Sequence, residues 1–468
     1  MLQKEDLMTD SNANSIRSLL NATADRAATY LDNLDTRSVS PTAEAIIQLD
    51  RLDEALPDGA TDPETVLALL DEVGSPATLA TAGRRFFGFV IGGSVPAALA
   101  ANWLAGAWDQ NGGLWATSPI SVKTEEVALR WLLDVLGLPA SAGGAFVTGA
   151  TMANFTALAA ARHAVLSQVG WDVESDGLFG APPITVVVGE EAHPTLFRSL
   201  SLLGLGHQRV VKVPVDNQGR MRADVLPKLS GPTIVCTQAG NVNSGAFDPI
   251  QQICDWAHDA NAWVHVDGAF GLWASATPGR VHLAAGVANA DSWATDAHKW
   301  LNVPYDSGLA FVRNPEMLRA ALRLTAAYLP QGDRREPSQF TPELSRRARG
   351  VEVWAALRSL GRSGIADLIE RNCRYATQFA NGLQAAGYPI LNDVVLNQVV
   401  VAFGDPDITR QVIAAIQADG TCWAGPTVWQ GKTAMRISVS SWATTEADVE
   451  KSLAAMLRVA AKTGAVTL

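Results

Sequence analysis

The sequence predicts an α/β protein built on a mostly parallel sheet flanked by helices, with a smaller α/β part at its C-terminal end. Three observations carry this. From Phe86 onward, short apolar β-branched runs alternate with helical segments, the pattern of strands buried on both faces. After Arg346 that alternation gives way to longer helices and fewer strands. The hydrophobic fraction is 48% and the charged fraction 18%, which suits a packed core and excludes a disordered chain.

Taken in order, Asn12 to about Ala80 reads as helical. Ile16, Leu20, Ala24, Ala27, Leu31 and Leu34 share one face, and Pro57-Asp58-Gly59 and Pro63 punctuate the stretch after it. Gly144–Val147 is a strand leading into a helix through Ala153–Ser167, and Ile184–Val188 is a strand with a helix from Pro194. Thr233–Cys236 and Ala262–Val266 are strands separated by a helix over Gln251–Asp259, and Leu309–Val312 closes the run. Helices over Val353–Leu360 and Ile365–Ala386 precede a strand at Gln398–Phe403, a helix at Ile408–Ala418 and a strand at Met435–Val439. Thr445 and Asp448 then form a capping-box pattern before the last helix. The division expected is a helical segment over 1–85, a large domain over 86–350 and a small domain over 351–468.

Lys and Arg number 36 against 47 Asp and Glu, a formal charge of −11. An acidic chain without basic clusters excludes nucleic acid and anionic membrane as expected partners. Met1–Asp10 has no apolar core and does not read as a secretory signal. Val95–Trp108 is too short to span a bilayer. The 4 cysteines are scattered without metal-ligand spacing, so no metal is expected and a reducing, cytoplasmic setting is. Trp is abundant at 14 and Tyr scarce at 5, which makes each tyrosine worth inspecting.

Four local features carry chemistry. Asp291-Ser-Trp-Ala-Thr-Asp-Ala-His-Lys-Trp300 sets Lys299 in a partly aromatic stretch, where desolvation favours the neutral amine that carbonyl chemistry needs. Alone, Lys299 reads equally as a loop cation paired with Asp291 or Asp296. Val264-His-Val-Asp-Gly-Ala-Phe270 places Asp267 at the carboxyl end of a buried strand, where open α/β sheets bind ligands. Asp267 reads either as a turn or cap residue or as the partner of a cationic ring nitrogen over a small Ala269. Phe146-Val-Thr-Gly-Ala-Thr-Met-Ala-Asn154 is a strand, a small-residue turn and a helix start. Its free N–H groups and Thr151 hydroxyl suit a phosphate, though tight packing alone would produce the same turn. His193, in Glu190-Glu-Ala-His-Pro194, either caps the following helix or lies flat on a ring.

A phosphate cradle, a stacking imidazole, an acid for a pyridine nitrogen and a buried amine, in that order, describe pyridoxal 5′-phosphate. These residues resemble the group II pyridoxal-phosphate-dependent amino-acid decarboxylases of the aromatic-L-amino-acid and tyrosine decarboxylase kind. The resemblance runs from Phe86-Phe-Gly-Phe89 through Trp115-Ala-Thr-Ser-Pro119 to Arg436-Ile-Ser-Val439, and its most specific motif is Asp296-Ala-His-Lys-Trp300. It implies the type I aspartate-aminotransferase fold, with a mostly parallel seven-stranded sheet, and a homodimer with active sites at the interface. It makes Lys299 the residue bonded to the cofactor aldehyde and Asp267 the partner of the pyridine nitrogen. His193 stacks on the ring, with Ala269 beneath. Gly149, Ala150 and Thr151 hold the phosphate, His298 lies by the phosphate or the aldehyde, and Asn241 lies near the ring oxygen. Asp296 stands where some relatives carry Asn as a phosphate ligand. An ionised Asp would repel the phosphate, so its role stays open.

Beyond Lys299, Tyr328 precedes a Gly-, Pro- and charge-rich stretch, Gln331–Ser338, that reads as a surface loop. The resemblance makes Tyr328 the acid that protonates Cα after carbon dioxide leaves, whereas relatives with Phe there resemble aldehyde synthases. Phe87, Phe89, Val90 and Trp115 match the family's substrate pocket segment, and an aromatic wall favours an aromatic amino acid. Arg436 keeps an acidic substrate such as glutamate or aspartate open. The alternatives are an aldehyde synthase or a carbon–carbon lyase of the same fold.

Overall fold

Seven strands form the main sheet in the computed structural model of the chain, which describes residues 2–324 and 334–465. They are β1 (Gly143–Val147), β2 (Thr185–Gly189), β3 (Val211–Val213), β4 (Thr233–Gln238), β5 (Trp263–Asp267), β6 (Ser292–Asp296) and β7 (Gly308–Val312). Their order across the sheet is β1-β7-β6-β5-β4-β2-β3. The five strands from β3 to β6 are parallel, and β7 runs antiparallel to both β1 and β6. The reversal follows from the short β6–β7 connection over residues 297–307, which has no helix with which to cross over. The mostly parallel seven-stranded α/β architecture expected from the sequence is therefore present.

Alternation along the strands shows why their sequences are apolar throughout. Val187, Val235, Val264 and Val266 pack into one core with helices Pro119–Val135 and Ile250–His258. Val186, Val188, Ile234, Cys236 and Trp263 pack on the other face against helix Ala150–Ser167. Both faces are covered, so every position must be apolar or internally hydrogen-bonded. β6 is missed by the sequence pattern for the second reason. Ser292, Thr295 and Asp296 interrupt its apolar run, and each is buried.

After residue 350 a helix runs from Gly350 to Ala385, broken at Gly361 with φ 61° and ψ 179°. That conformation belongs to glycine and divides the helix where the sequence predicts two. The smaller sheet has β8 (Gln398–Val401), β9 (Gly425–Trp429) and β10 (Lys432–Ser438) in the order β8-β10-β9, all antiparallel. β9 is not expected from the sequence because Pro426 reads as a strand breaker. It sits on the edge, where proline is tolerated. Helices Pro406–Asp419 and Glu446–Lys462 cover this sheet, the second opened by the anticipated Thr445–Asp448 capping box.

The N-terminal helix spans Leu2–Asn33. Of the apolar stripe expected on it and just beyond, Leu34 alone is buried, packed with Val39, Ala80 and Phe86. Ile16 and Leu20 are 61% and 59% exposed, because no described part of this chain covers that face.

Candidate active site

The carboxyl ends of β1, β2, β4, β5 and β6 converge on one cavity of about 430 Å3. Its walls include Gly149, Ala150, Thr151, His193, Asp267, Ala269, Asp296, His298, Lys299 and Arg436, with Phe89 and Val90 on one side. Five separate sequence segments thus meet where parallel-sheet topology places ligands.

Lys299 Nζ lies 2.9 Å from Asp296 Oδ2. Of the two carboxylates that could have paired with it, Asp291 is instead engaged by the Val264 amide and His258. The other Asp296 oxygen, Oδ1, is buried without a hydrogen-bond partner and lies 3.6 Å from His298 Nε2. His298 Nδ1 accepts from the Ser307 amide at 3.0 Å, so the imidazole carries its proton on Nε2, facing Asp296. Burial pushes the His298 pKa down, against the pull of Asp296. The ring of Tyr305 stacks on it at 4.2 Å, a neighbour that no sequence pattern singles out.

Gly149 opens helix Ala150–Ser167 with no side-chain cap, leaving the first N–H groups of the helix to the cavity. A Cβ at Gly149 would come within 3.2 Å of His298 and 3.5 Å of Asp296 Oδ1. A Cβ on Gly308 of β7 would fall 2.4 Å from Gly149 Cα, so the turn is pressed against bare backbone.

Asp267 is 5% exposed and accepts from Asn154 Nδ2 at 3.2 Å and from the Ala269 amide at 3.3 Å. Burial pushes its pKa up, opposed by the positive fields of His193 and Lys299. A carboxylate in that position gains most from a cation brought into the cavity. His193 caps a helix and borders the cavity. Its Nδ1 accepts from the Thr195 amide at 3.3 Å as a helix cap, while the ring lines the cavity. Burial lowers its pKa, against the pull of Asp267. Arg436, on β10, donates to the Val242 carbonyl at 3.2 Å.

Phe89 and Val90 have φ of 53° and 61°, left-handed values that a β-branched residue rarely adopts. Gly88 permits this turn by lying flat against Trp423, where a Cβ would sit 2.2 Å from the indole. The strained turn leaves Phe89 59% exposed beside the cavity.

Three expected site residues fall elsewhere. Phe87 is fully buried in the small-domain core against Phe379, its backbone bonded to Trp423 and Ser438. Asn241 donates to Glu191 Oε2 at 3.1 Å and is not in the cavity wall. Trp115 lies under the Arg334 guanidinium, 3.9 Å from its ring centre, and its amide donates to Glu336. Tyr328 lies outside the described residues. Conversely, no local pattern gives a role to Asn154, in the second turn of its helix, or to His265, in the middle of a strand.

The family model for the pyridoxal-dependent decarboxylase conserved domain matches residues 48–403. The chain belongs to the pyridoxal-dependent decarboxylase family. It is 28% identical over 380 residues to an aromatic-L-amino-acid decarboxylase of Bacillus atrophaeus, covering 78% of this chain and 77% of that one. To tryptophan decarboxylase 1 of Oryza sativa subsp. japonica it is 26% identical over 471 residues, covering 92% and 90%. An L-2,4-diaminobutyrate decarboxylase of Rhizobium meliloti is 30% identical over 368 residues, covering 74% and 71%. Its fold matches the crystal structure of Oryza sativa TDC with PLP and tryptamine at a TM-score of 0.88 and 23% identity, over 96% and 98% of the two chains.

This pyridoxal-phosphate-dependent carboxy-lyase has a cavity that fits its cofactor. The uncapped helix start at Gly149 suits a phosphate, the buried Asp267 suits a protonated ring nitrogen, and Lys299 brings an amine to the same cavity. Asp296 is the one discordant group, since its unpartnered Oδ1 faces the same glycine turn. When bound, pyridoxal phosphate supplies an electron sink for the bond that breaks. Among the described residues, no helix is long and apolar enough to cross a membrane.

Proposed function

We propose that this decarboxylase acts on an aromatic L-amino acid, giving the amine and carbon dioxide. The observation that carries the reading is the composition of the cavity wall beside Lys299. Phe89, Val90, Val242 and Phe270 form an apolar side, and Arg436 is the cation available to a substrate carboxylate. An aromatic side chain gains by leaving water against such a wall. The relatives from Bacillus atrophaeus and Oryza sativa are decarboxylases of aromatic amino acids by name, which supports the same choice.

In this reading Lys299 would hold the cofactor by its aldehyde. Asp267 would hold the ring nitrogen protonated, His193 and Ala269 would hold the ring, and Gly149, Ala150 and Thr151 would bind the phosphate. Arg436 orients the carboxylate to be lost. Tyr328 delivers the proton to Cα that makes the product an amine rather than an aldehyde. The enzyme works in the cytoplasm as a homodimer, with residues 1–85 forming much of the contact, 86–350 the cofactor domain and 351–468 the small domain.

A second reading rests on Arg436 alone, which would equally receive the side-chain carboxylate of glutamate or aspartate. Carbon dioxide release and product identity, measured across aromatic, acidic and diamino substrates, separate the two. The expected result is kcat/KM at least about a hundredfold higher for an aromatic substrate, the scale set by ~2.7 kcal/mol of burial against the apolar wall. Preference for glutamate or aspartate would replace the aromatic assignment, and aldehyde in place of amine would remove the role given to Tyr328.

A further inference from the structure

Behind Asp267 a chain of hydrogen-bonded side chains runs away from the cavity into the core. The pleat of β5 turns Trp263, His265 and Asp267 to the face covered by helix Ala150–Ser167, and Ser292 of β6 is the register partner of His265. Trp263 Nε1 donates to Ser292 Oγ at 2.8 Å, and Ser292 Oγ lies 2.9 Å from His265 Nδ1. His265 Nε2 lies 2.9 Å from Asn154 Oδ1, and Asn154 Nδ2 donates to Asp267 Oδ2 at 3.2 Å. Asn154, His265 and Ser292 are wholly buried.

Both ends of this chain are chemically fixed. An indole N–H only donates, and an ionised carboxylate only accepts. One direction satisfies both ends at once. Ser292 accepts from Trp263 and gives its hydrogen to His265 Nδ1. The imidazole then carries its proton on Nε2 and donates to Asn154 Oδ1, which turns the Asn154 amine toward Asp267. Burial keeps His265 neutral, so it has a single N–H to place.

We propose that Asn154 and His265 are positioning residues for decarboxylation. Through this chain they hold the Asp267 carboxylate in one orientation, and with it the acceptor that meets the ring nitrogen of the cofactor. Neither Asn154 nor His265 is part of the cavity wall. Their effect reaches the chemistry through Asp267 alone, and it rests on the assignment of this cavity to pyridoxal phosphate. A polar cluster that merely satisfied buried groups would have no reason to favour one atom of the ligand.

That difference sets the test. Pyridoxal phosphate and its deaza analogue, with C–H in place of the ring nitrogen, differ only at the atom facing Asp267. Their dissociation constants are measured by equilibrium titration on wild type and variants, without substrate. Wild type should prefer pyridoxal phosphate. Asn154→Leu and His265→Leu should each cut that preference about tenfold, the scale of a hydrogen bond to a charged group. His265→Gln keeps an N–H for Asn154 and should stay within about threefold of wild type, the scale of a neutral hydrogen bond slightly lengthened. Asn154→Asp, nearly isosteric, sets an acceptor against Asp267 and should cut the preference at least as far, which covers a leucine variant that fails to fold. An unchanged preference in the leucine and aspartate variants, or equal weakening of both ligands, would overturn the proposal. Failure of wild type to bind pyridoxal phosphate at all would instead overturn the cavity assignment beneath it.

Discussion

Asp267 and His265 stand two residues apart on one strand face, yet only the first was legible as functional. Asp267, Lys299 and His193 each read two ways alone, and it was their order along the chain, each at or just beyond a strand end, that pointed to a common site. His265 lies in the middle of a strand and Asn154 in the second turn of a helix. Their meaning depends on which strand pairs with which and in what register, and no local pattern carries that. The burial of His265 gives a measurable consequence. Its pKa falls from an ordinary 6.5 to about 3 because burial penalises the charged ring. Below pH 6.5 the unfolded chain takes up a proton that the folded chain refuses, so this contribution is complete above pH 6.5 and is lost as pH falls toward 3. The loss is up to about 1.4 kcal/mol per pH unit. Burial raises the carboxyl pKa of Asp248, Asp267 and Glu352, which works in the opposite direction. The stability of wild type minus that of His265→Gln isolates the imidazole. Denaturant titrations should give a difference that is level above pH 7 and falls by about 1 kcal/mol between pH 6.5 and 5.5. A level difference down to pH 5 would contradict this.

At the scale of elements, most strands were read from their continuous apolar runs because both sheet faces are covered. The failures have physical causes. β6 hides its strand character behind Ser, Thr and Asp that are buried inside, and β9 hides behind an edge proline. The β7 strand matters for the site as well as the sheet, since Gly308 faces the backbone of Gly149 with no room between. Gly308→Ala must push β7 and the Gly149 turn apart. The expected cost is about 1–3 kcal/mol of stability, the usual penalty for overpacking. Affinity for pyridoxal phosphate should fall more than affinity for pyridoxal if the displaced turn holds the phosphate as proposed. Thermal unfolding and titration with the two ligands check both parts, and equal loss for both would detach the turn from phosphate binding.

For the molecule as a whole, the acidic surface says little about function, while the apolar stripe on the first helix says more in its three-dimensional surroundings. Ile16 and Leu20 are exposed on that helix, and Trp103, Leu104 and Trp108 are exposed on helix Pro96–Trp108. Exposed apolar side chains in such numbers fit a surface that a second copy covers. Paired Ile16→Glu and Leu20→Glu substitutions should therefore shift the chain from dimer to monomer in light scattering, with the fold intact by circular dichroism. A wild type that is monomeric would remove the homodimer from the proposed function. The central claim remains that Lys299 makes this cavity a pyridoxal-phosphate-dependent decarboxylase site. The most direct measurement is the visible absorbance of the purified chain with pyridoxal phosphate, recorded together with carbon dioxide release, for wild type and Lys299→Ala. Wild type should show a protein-bound cofactor band and release carbon dioxide, and the variant should lose both. A variant that kept the wild-type band and the wild-type rate would contradict the assignment.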